Sequence, residues 1–225
     1  MPGGYRNVLP VGSPAVEAPV PRLRGRIHQA AFFVSLPAAI SLVLIARGAV
    51  ATAVASIYAT SLVALFGASA AYHVGRWSPR ARVRMKSLDH SMIYVLIAGT
   101  YTPVTVLALR GPWEAVLLSI AWSGAAVGVA LKLARPDGLG VASAVLYMAL
   151  GWLAVVALPQ LVDAMWLAGA VLMVVGGLLY TGGAIVLARR HPDPRPATFG
   201  YHEVWHVFQV AAAACHFAMV ALVVR

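Results

Sequence analysis

A bundle of seven helices spanning a membrane is the architecture this sequence predicts, and three observations predict it. Of the 225 residues, 61% are hydrophobic and only 11% are charged, where soluble domains carry roughly 25% charged residues to cover a water-facing surface. Mean hydropathy is +0.82, and several apolar runs reach about 20 residues, enough to cross a hydrocarbon core of about 30 Å as helix. Between the runs stand arginines, glycines and prolines. These features exclude a soluble enzyme and a disordered chain. One cysteine, Cys215, also excludes a disulfide scaffold; inside an apolar run it reads as a small buried hydrophobe.

The elements follow in order. Residues 1–22 are a polar tail carrying Pro2, Pro10, Pro14, Pro19 and Pro21, with too little to bury to hold a structure, so it is predicted to be disordered. Residues 23–225 then form one transmembrane domain. No signal-peptide core precedes the first run, which reads as an uncleaved anchor. That span, 27–46, stops at Arg47-Gly48, and the second, 49–73, stops before the basic stretch 76–86. The third, 87–109, ends at Arg110-Gly111, and the fourth, 112–133, at Arg135-Pro136-Asp137-Gly138. A fifth, 138–158, ends at Pro159. The sixth, 162–188, meets the Arg- and Pro-rich stretch 189–196, and the seventh is 202–224. Pro37 and Pro103 fall inside spans and are expected to kink them. Gly124 and Gly128 form a small-xxx-small pair suited to packing within the bundle.

Net charge is +10. In a soluble protein that would suggest nucleic acid; in a membrane protein it marks the loops that stay inside, so no nucleic-acid partner is expected. The tail and the second, fourth and sixth loops hold all the basic residues except Arg47, Arg110 and Arg225. That asymmetry predicts a cytoplasmic N-terminus and an external C-terminus. Fifteen of the 17 basic residues are arginine in an Ala- and Val-rich chain, as in a GC-rich bacterial genome, and the bacterial plasma membrane is the expected location.

Polar groups in spans need a partner or a task. The predicted topology gathers several at the inner end: His73 closing the second span, Asp89 and His90 opening the third, His202 and His206 opening the seventh, and His28 opening the first. His202 and His206 are four apart, so both rings leave one helix face about 6 Å apart, close enough to share an ion. Seven histidines give such a pair by chance in roughly one chain in five, so the pair alone assigns nothing. Adding His73 makes a three-histidine set with a fourth position open to water, the pattern of catalytic zinc. Asp89 is then placed to accept a hydrogen bond from that water, and Ser69, four before His73, shares its helix face.

Ser69-x-x-x-His73, Leu88-Asp89-His90 followed by Ile97-Ala98-Gly99-Thr100-Tyr101-Thr102-Pro103, and Tyr201-His202-Glu203-Val204-Trp205-His206 with the later His216 resemble the haemolysin III branch of the progestin and adipoQ receptor superfamily. The resemblance covers all seven predicted spans. It implies a seven-helix bundle holding zinc through His73, His202 and His206, with Asp89 hydrogen-bonded to the water on the zinc and Ser69 beside the site. That superfamily often has Glu and Asn ahead of the histidine of the first span; here Pro21 and Arg24 stand there, which leaves the role of His28 open.

Other readings use the same residues. His202-Glu203-Val204-Trp205-His206 fits H-E-x-x-H, in which the glutamate is the general base of a zinc protease, but Asp137-Gly138 precedes the histidine pair where such proteases have a downstream Asp-Gly. Glu203 is otherwise a helix N-terminal carboxylate favoured by the dipole, or a supporting group. Without metal, the histidines would clamp helices through Asp89 and each other. His90 is expected to pack or support. His216, about 15 Å along the helix from His206, is expected to hydrogen-bond in the core, and His191 to be solvated. Tyr94, Tyr101 and Tyr147 line a cavity or bond between helices. Trp77, Trp113, Trp152, Trp166 and Trp205 are expected to anchor at the membrane interface.

Two functions compete. The first is a zinc-dependent hydrolase of lipid amides or esters, a substrate class implied by the likeness to adiponectin receptors and alkaline ceramidases. Asp89 would be its base and Ser69 its hydrogen-bonding group, with membrane lipids as partners. The second is a non-enzymatic membrane sensor or homeostasis protein with structural zinc. A pore-forming cytolysin ranks last, since no span carries a polar stripe.

Overall fold

The computed structural model describes residues 20–136, 138 and 140–225; the predicted disordered tail up to residue 19, and Asp137, lie outside the described residues. Among those described, the chain is helical: α1 (Arg26–Ile45), α2 (Ala49–Val74), α3 (Pro79–Ala108), α4 (Pro112–Ala134), α5 (Gly140–Gly151), a 3-10 segment (Leu153–Ala157), α6 (Leu158–Arg189) and α7 (Tyr201–Val223). Local chemistry sets several boundaries. Gly48 and Gly111 turn the chain at φ 89° and 70°, where a side chain would be strained, and Pro112 opens α4 with no amide to leave unpaired. Ser78 caps α3, its hydroxyl accepting from the Ala81 N–H at 3.4 Å, with Pro79 following. That cap starts α3 eight residues before the predicted span, so the basic stretch 80–86 is helix rather than loop. Arg, Met and Lys are good helix formers, and nothing in the stretch breaks the helix.

Among the described residues, six helical stretches are long and apolar enough to cross a membrane, one of them running 140–189, where the sequence predicts seven separate spans. The difference arises in the fifth. Its α-helix is only 12 residues long and gives way to the 3-10 segment. Tyr101 of α3 causes the break. Its hydroxyl donates to the Leu150 carbonyl at 3.0 Å and accepts the Ala154 N–H at 2.6 Å, taking the two groups that would otherwise bond to each other in a continuing helix. α6 has its own break at Trp166, at φ 59°. Pro37 and Pro103, by contrast, lie within single helices.

α3 is the central element, packing on α2, α4, α5, α6 and α7. Small residues let its neighbours approach. Gly128 of α4 sits so close to the Tyr94 ring of α3 that an added Cβ would stand 2.5 Å from it, and Gly124 meets Leu150 of α5 in the same way. The glycine pair thus serves packing inside the bundle. Tyr94 also donates to the Ser143 carbonyl of α5 at 3.0 Å. The outer face of α1 stays apolar, with Phe33, Val34, Ile40 and Leu44 exposed, as a surface that meets lipid requires.

α1 and α7 run parallel and are joined at both ends through backbone. Ahead of the two helices, the Arg22 and Leu23 N–H groups donate to the Ala197 and Thr198 carbonyls at 3.1 Å. Beyond them, the Arg47 N–H donates to the Val224 carbonyl at 3.0 Å. The starts of α1, α3 and α7 and the end of α2 therefore meet at one end of the bundle.

Gly128→Ala should force the Tyr94 ring aside and lower stability by about 1–3 kcal/mol, the usual cost of overpacking. Denaturant unfolding in detergent, followed by circular dichroism, measures it.

Candidate metal centre

At that shared end, His73 occupies the last turn of α2, His202 and His206 the first two turns of α7, and Asp89 the third turn of α3. Placement at helix ends lets the rings converge without burying polar groups deep in hydrocarbon. One ligand atom from each of His73, His202 and His206 lies within 4.8 Å of the others. The Nε2 atoms of His73 and His202 are 3.3 Å apart, close to the spacing of about 3.3 Å that two nitrogens at about 2.0–2.1 Å from one tetrahedral zinc must have. His206 is buried, and neither of its ring nitrogens has a hydrogen-bond partner. Orphaned nitrogens are costly in a buried site unless something takes their lone pair. The donor set fits a zinc-type ion on both counts.

Asp89, also buried, places Oδ2 3.7 Å from the His73 Nε2. Ser69 places its Oγ 2.8 Å from the His28 Nδ1. One hydroxyl thus holds a further imidazole beside the ligands. The predicted residues Ser69, His73, Asp89, His202 and His206 all come to this one place.

His28, whose role the sequence leaves open, joins the site. It is buried inside the site, and its ring stacks on His206 with centroids 3.8 Å apart and planes 10° from parallel. Pro21 and Arg24 lie ahead of α1, whereas His28 is held by its own helix face; its depth at the start of the first span was the available signal. Glu203 is fully buried. Its Oε2 accepts the Gly200 N–H at 2.9 Å, as a glutamate in the third position of a helix can, and its Oε1 pairs with the Arg24 Nε at 2.6 Å. With both oxygens engaged, Glu203 is not free to act as the base of an H-E-x-x-H protease.

The remaining candidates separate. His90 is half-buried and outside the three-ligand group. His216 meets the Met173 carbonyl through Nε2 at 3.3 Å, His191 is exposed and Cys215 is half-buried. Trp77, Trp113 and Trp166 are exposed, whereas Trp152 and Trp205 are half-buried. They line an internal cavity of about 100 Å³ between α3, α5, α6 and α7, together with Tyr101, Tyr147 and Gln209. Trp205 also lies edge-on to His202, with centroids 4.9 Å apart, so the cavity begins one aromatic ring away from the histidines. Sequence spacing places Trp205 near a helix end and cannot say that α6 covers it.

Fold and site together define a multi-pass membrane bundle with a three-histidine group at one end. The pattern of haemolysin-III related proteins matches residues 17–217, and the chain belongs to that family. It is 35% identical over 193 residues to Hemolysin-3 of Bacillus cereus, covering 84% of this chain and 85% of that one. Its identity to the Hemolysin-3 homolog of Bacillus subtilis is 31% over 194 residues, covering 84% and 87%. More distantly it is 24% identical over 168 residues to the human monocyte to macrophage differentiation factor, covering 72% and 66%. Apolar helices and bacterial relatives agree with a multi-pass protein of the plasma membrane.

Ser69→Ala should leave the buried His28 Nδ1 without its partner and cost about 1–3 kcal/mol. Thermal unfolding of the detergent-purified variant tests this, and an unchanged midpoint would contradict the bonding described.

Proposed function

We propose that this protein is a zinc-dependent hydrolase of lipid amides or esters, ceramidase-like in its reaction, with a role in membrane lipid homeostasis. The observation that carries the reading is the convergence of His73, His202 and His206, with orphaned nitrogens on His206, beside a buried carboxylate. Zinc, when bound there, supplies Lewis acidity and a water acidified toward a pKa of about 7. His73, His202 and His206 are the residues that would hold the ion. Asp89 orients the attacking water and takes its proton; at 3.7 Å from the His73 Nε2 it stands beside the ligands without being one. Ser69 has a hydroxyl to offer the oxygen of the scissile carbonyl. The apolar cavity behind Trp205 supports a substrate with hydrocarbon to bury.

The chain crosses the membrane seven times in this reading, with its N-terminus in the cytoplasm. Parity supports the count. α1 and α7 run parallel and meet at both ends, which fits an even number of crossings before α7 and supports counting α5 with its 3-10 segment as a crossing of its own. At about 1.5 Å per α-helical residue and about 2.0 Å per 3-10 residue, that stretch spans about 28 Å. The basic residues gathered on one side of such a topology support the orientation.

A second reading, a sensor or homeostasis protein without turnover, is favoured by one observation: the three histidines come from the ends of α2 and α7, so an ion shared between them ties those helices whatever chemistry follows.

Two variants distinguish the readings. Purified protein should contain about one zinc per chain by elemental analysis, and His73→Ala should lose most of it. Asp89→Ala should keep zinc and fold but lose hydrolysis of a ceramide-type amide by about 100-fold or more, the low end for a general base. Zinc-loaded protein that releases no fatty acid from any amide or ester lipid tried would leave the structural role standing.

A further inference from the structure

The short segment ahead of α1 touches the surroundings of all three histidine ligands, and each touch has a different physical basis. Its start is pinned beside the α6–α7 connection by the two backbone hydrogen bonds from Arg22 and Leu23. Arg24 then pairs with Glu203, the residue next to His202. Gly25 follows at φ 77° and lies directly against His73, so that an added Cβ would collide with the His73 Cβ. Only glycine satisfies both the backbone angle and the contact. One turn later His28 stacks flat on His206 and is fixed in rotation by Ser69.

We propose that residues 22–28 form a retaining strap over the three-histidine centre, with the Arg24–Glu203 pair as its latch, and that the strap governs how fast the centre gains and loses its metal. This inference rests on the metal reading above.

The physics of the latch is specific. Glu203 is fully buried, whereas the Arg24 side chain is 23% exposed. A buried carboxylate stripped of its cation must be rehydrated, and rehydrating this one means drawing apart the first turn of α7, which carries His202. Latch and ligand are therefore adjacent on one helical turn. Loosening the segment also lifts Gly25 from His73 and slides His28 from His206. Arg24, Gly25 and His28 are positioning residues in this scheme.

The test uses the full-length protein in detergent micelles, loaded with zinc, and follows transfer of the ion to a chromogenic chelator after mixing. Glu203→Gln keeps an acceptor for the Gly200 N–H while removing the charge that Arg24 needs. Arg24→Ala removes the other half at a residue that reaches the surface, and carries the test alone if Glu203→Gln does not fold. Each is expected to release zinc about 10-fold to 100-fold faster than the wild type, as loss of groups supporting metal ligands commonly does. The double variant should be no faster than the faster single one, because the pair acts as a unit. The metal-free Glu203→Gln protein, which has no buried charge left to rehydrate, should melt close to the wild type, and the metal-free Arg24→Ala protein below it. Wild-type release rates in the single variants, or accelerations that multiply in the double variant, overturn the strap and leave the metal reading intact. A wild-type protein that takes up no zinc overturns the metal reading and the strap with it.

Discussion

The parallel pairing of the first and last helices is the constraint on which the rest of the structure depends. Backbone bonds join the residues ahead of α1 to those ahead of α7, and the residue after α1 to the residue after α7. Where hydrocarbon surrounds a bundle, unpaired peptide groups are costly, so contacts that use up main-chain donors and acceptors at helix ends are worth keeping. The pairing brings the start of α1 to the start of α7. Without it His28 would not lie on His206, nor would Arg24 reach Glu203.

Around that pairing the bundle gathers the polar groups of the site at one end. Asp89, Ser69 and the four histidines 28, 73, 202 and 206 occupy one neighbourhood, each supplied by a helix that begins or ends there. Most of the wall behind them is apolar or aromatic. Such a separation suits chemistry on a molecule that is mostly hydrocarbon with one reactive polar group. It suits metal binding equally, because the orphaned nitrogens of His206 face no competing donor.

Tyr101 shows how one hydroxyl reshapes a helix. By standing between Leu150 and Ala154 it satisfies both backbone groups and ends α5. The bend turns Trp152 inward, where its indole N–H donates to Thr181 of α6 at 3.0 Å and its ring walls the cavity. A longer, unbroken fifth helix would present different side chains there.

By itself the sequence determined the helical membrane class of the fold, the limits of most helices and five polar residues that the fold brings together. Hydropathy and the turn chemistry of Gly48, Gly111 and Ser78-Pro79 are local properties, and Ser69, His73, Asp89, His202 and His206 stand at spacings a helix converts directly into shared faces. Tertiary structure alone decided the break in the fifth helix, the inward Trp152 and Trp205, and the inclusion of His28. The physical reason is common to all three. Each depends on a partner remote in the chain: Tyr101 about 50 residues before the break, α6 over Trp205, and Ser69 with His206 around His28. Periodicity along one helix carries no information about which neighbour will supply the missing hydrogen bond or cover the exposed ring.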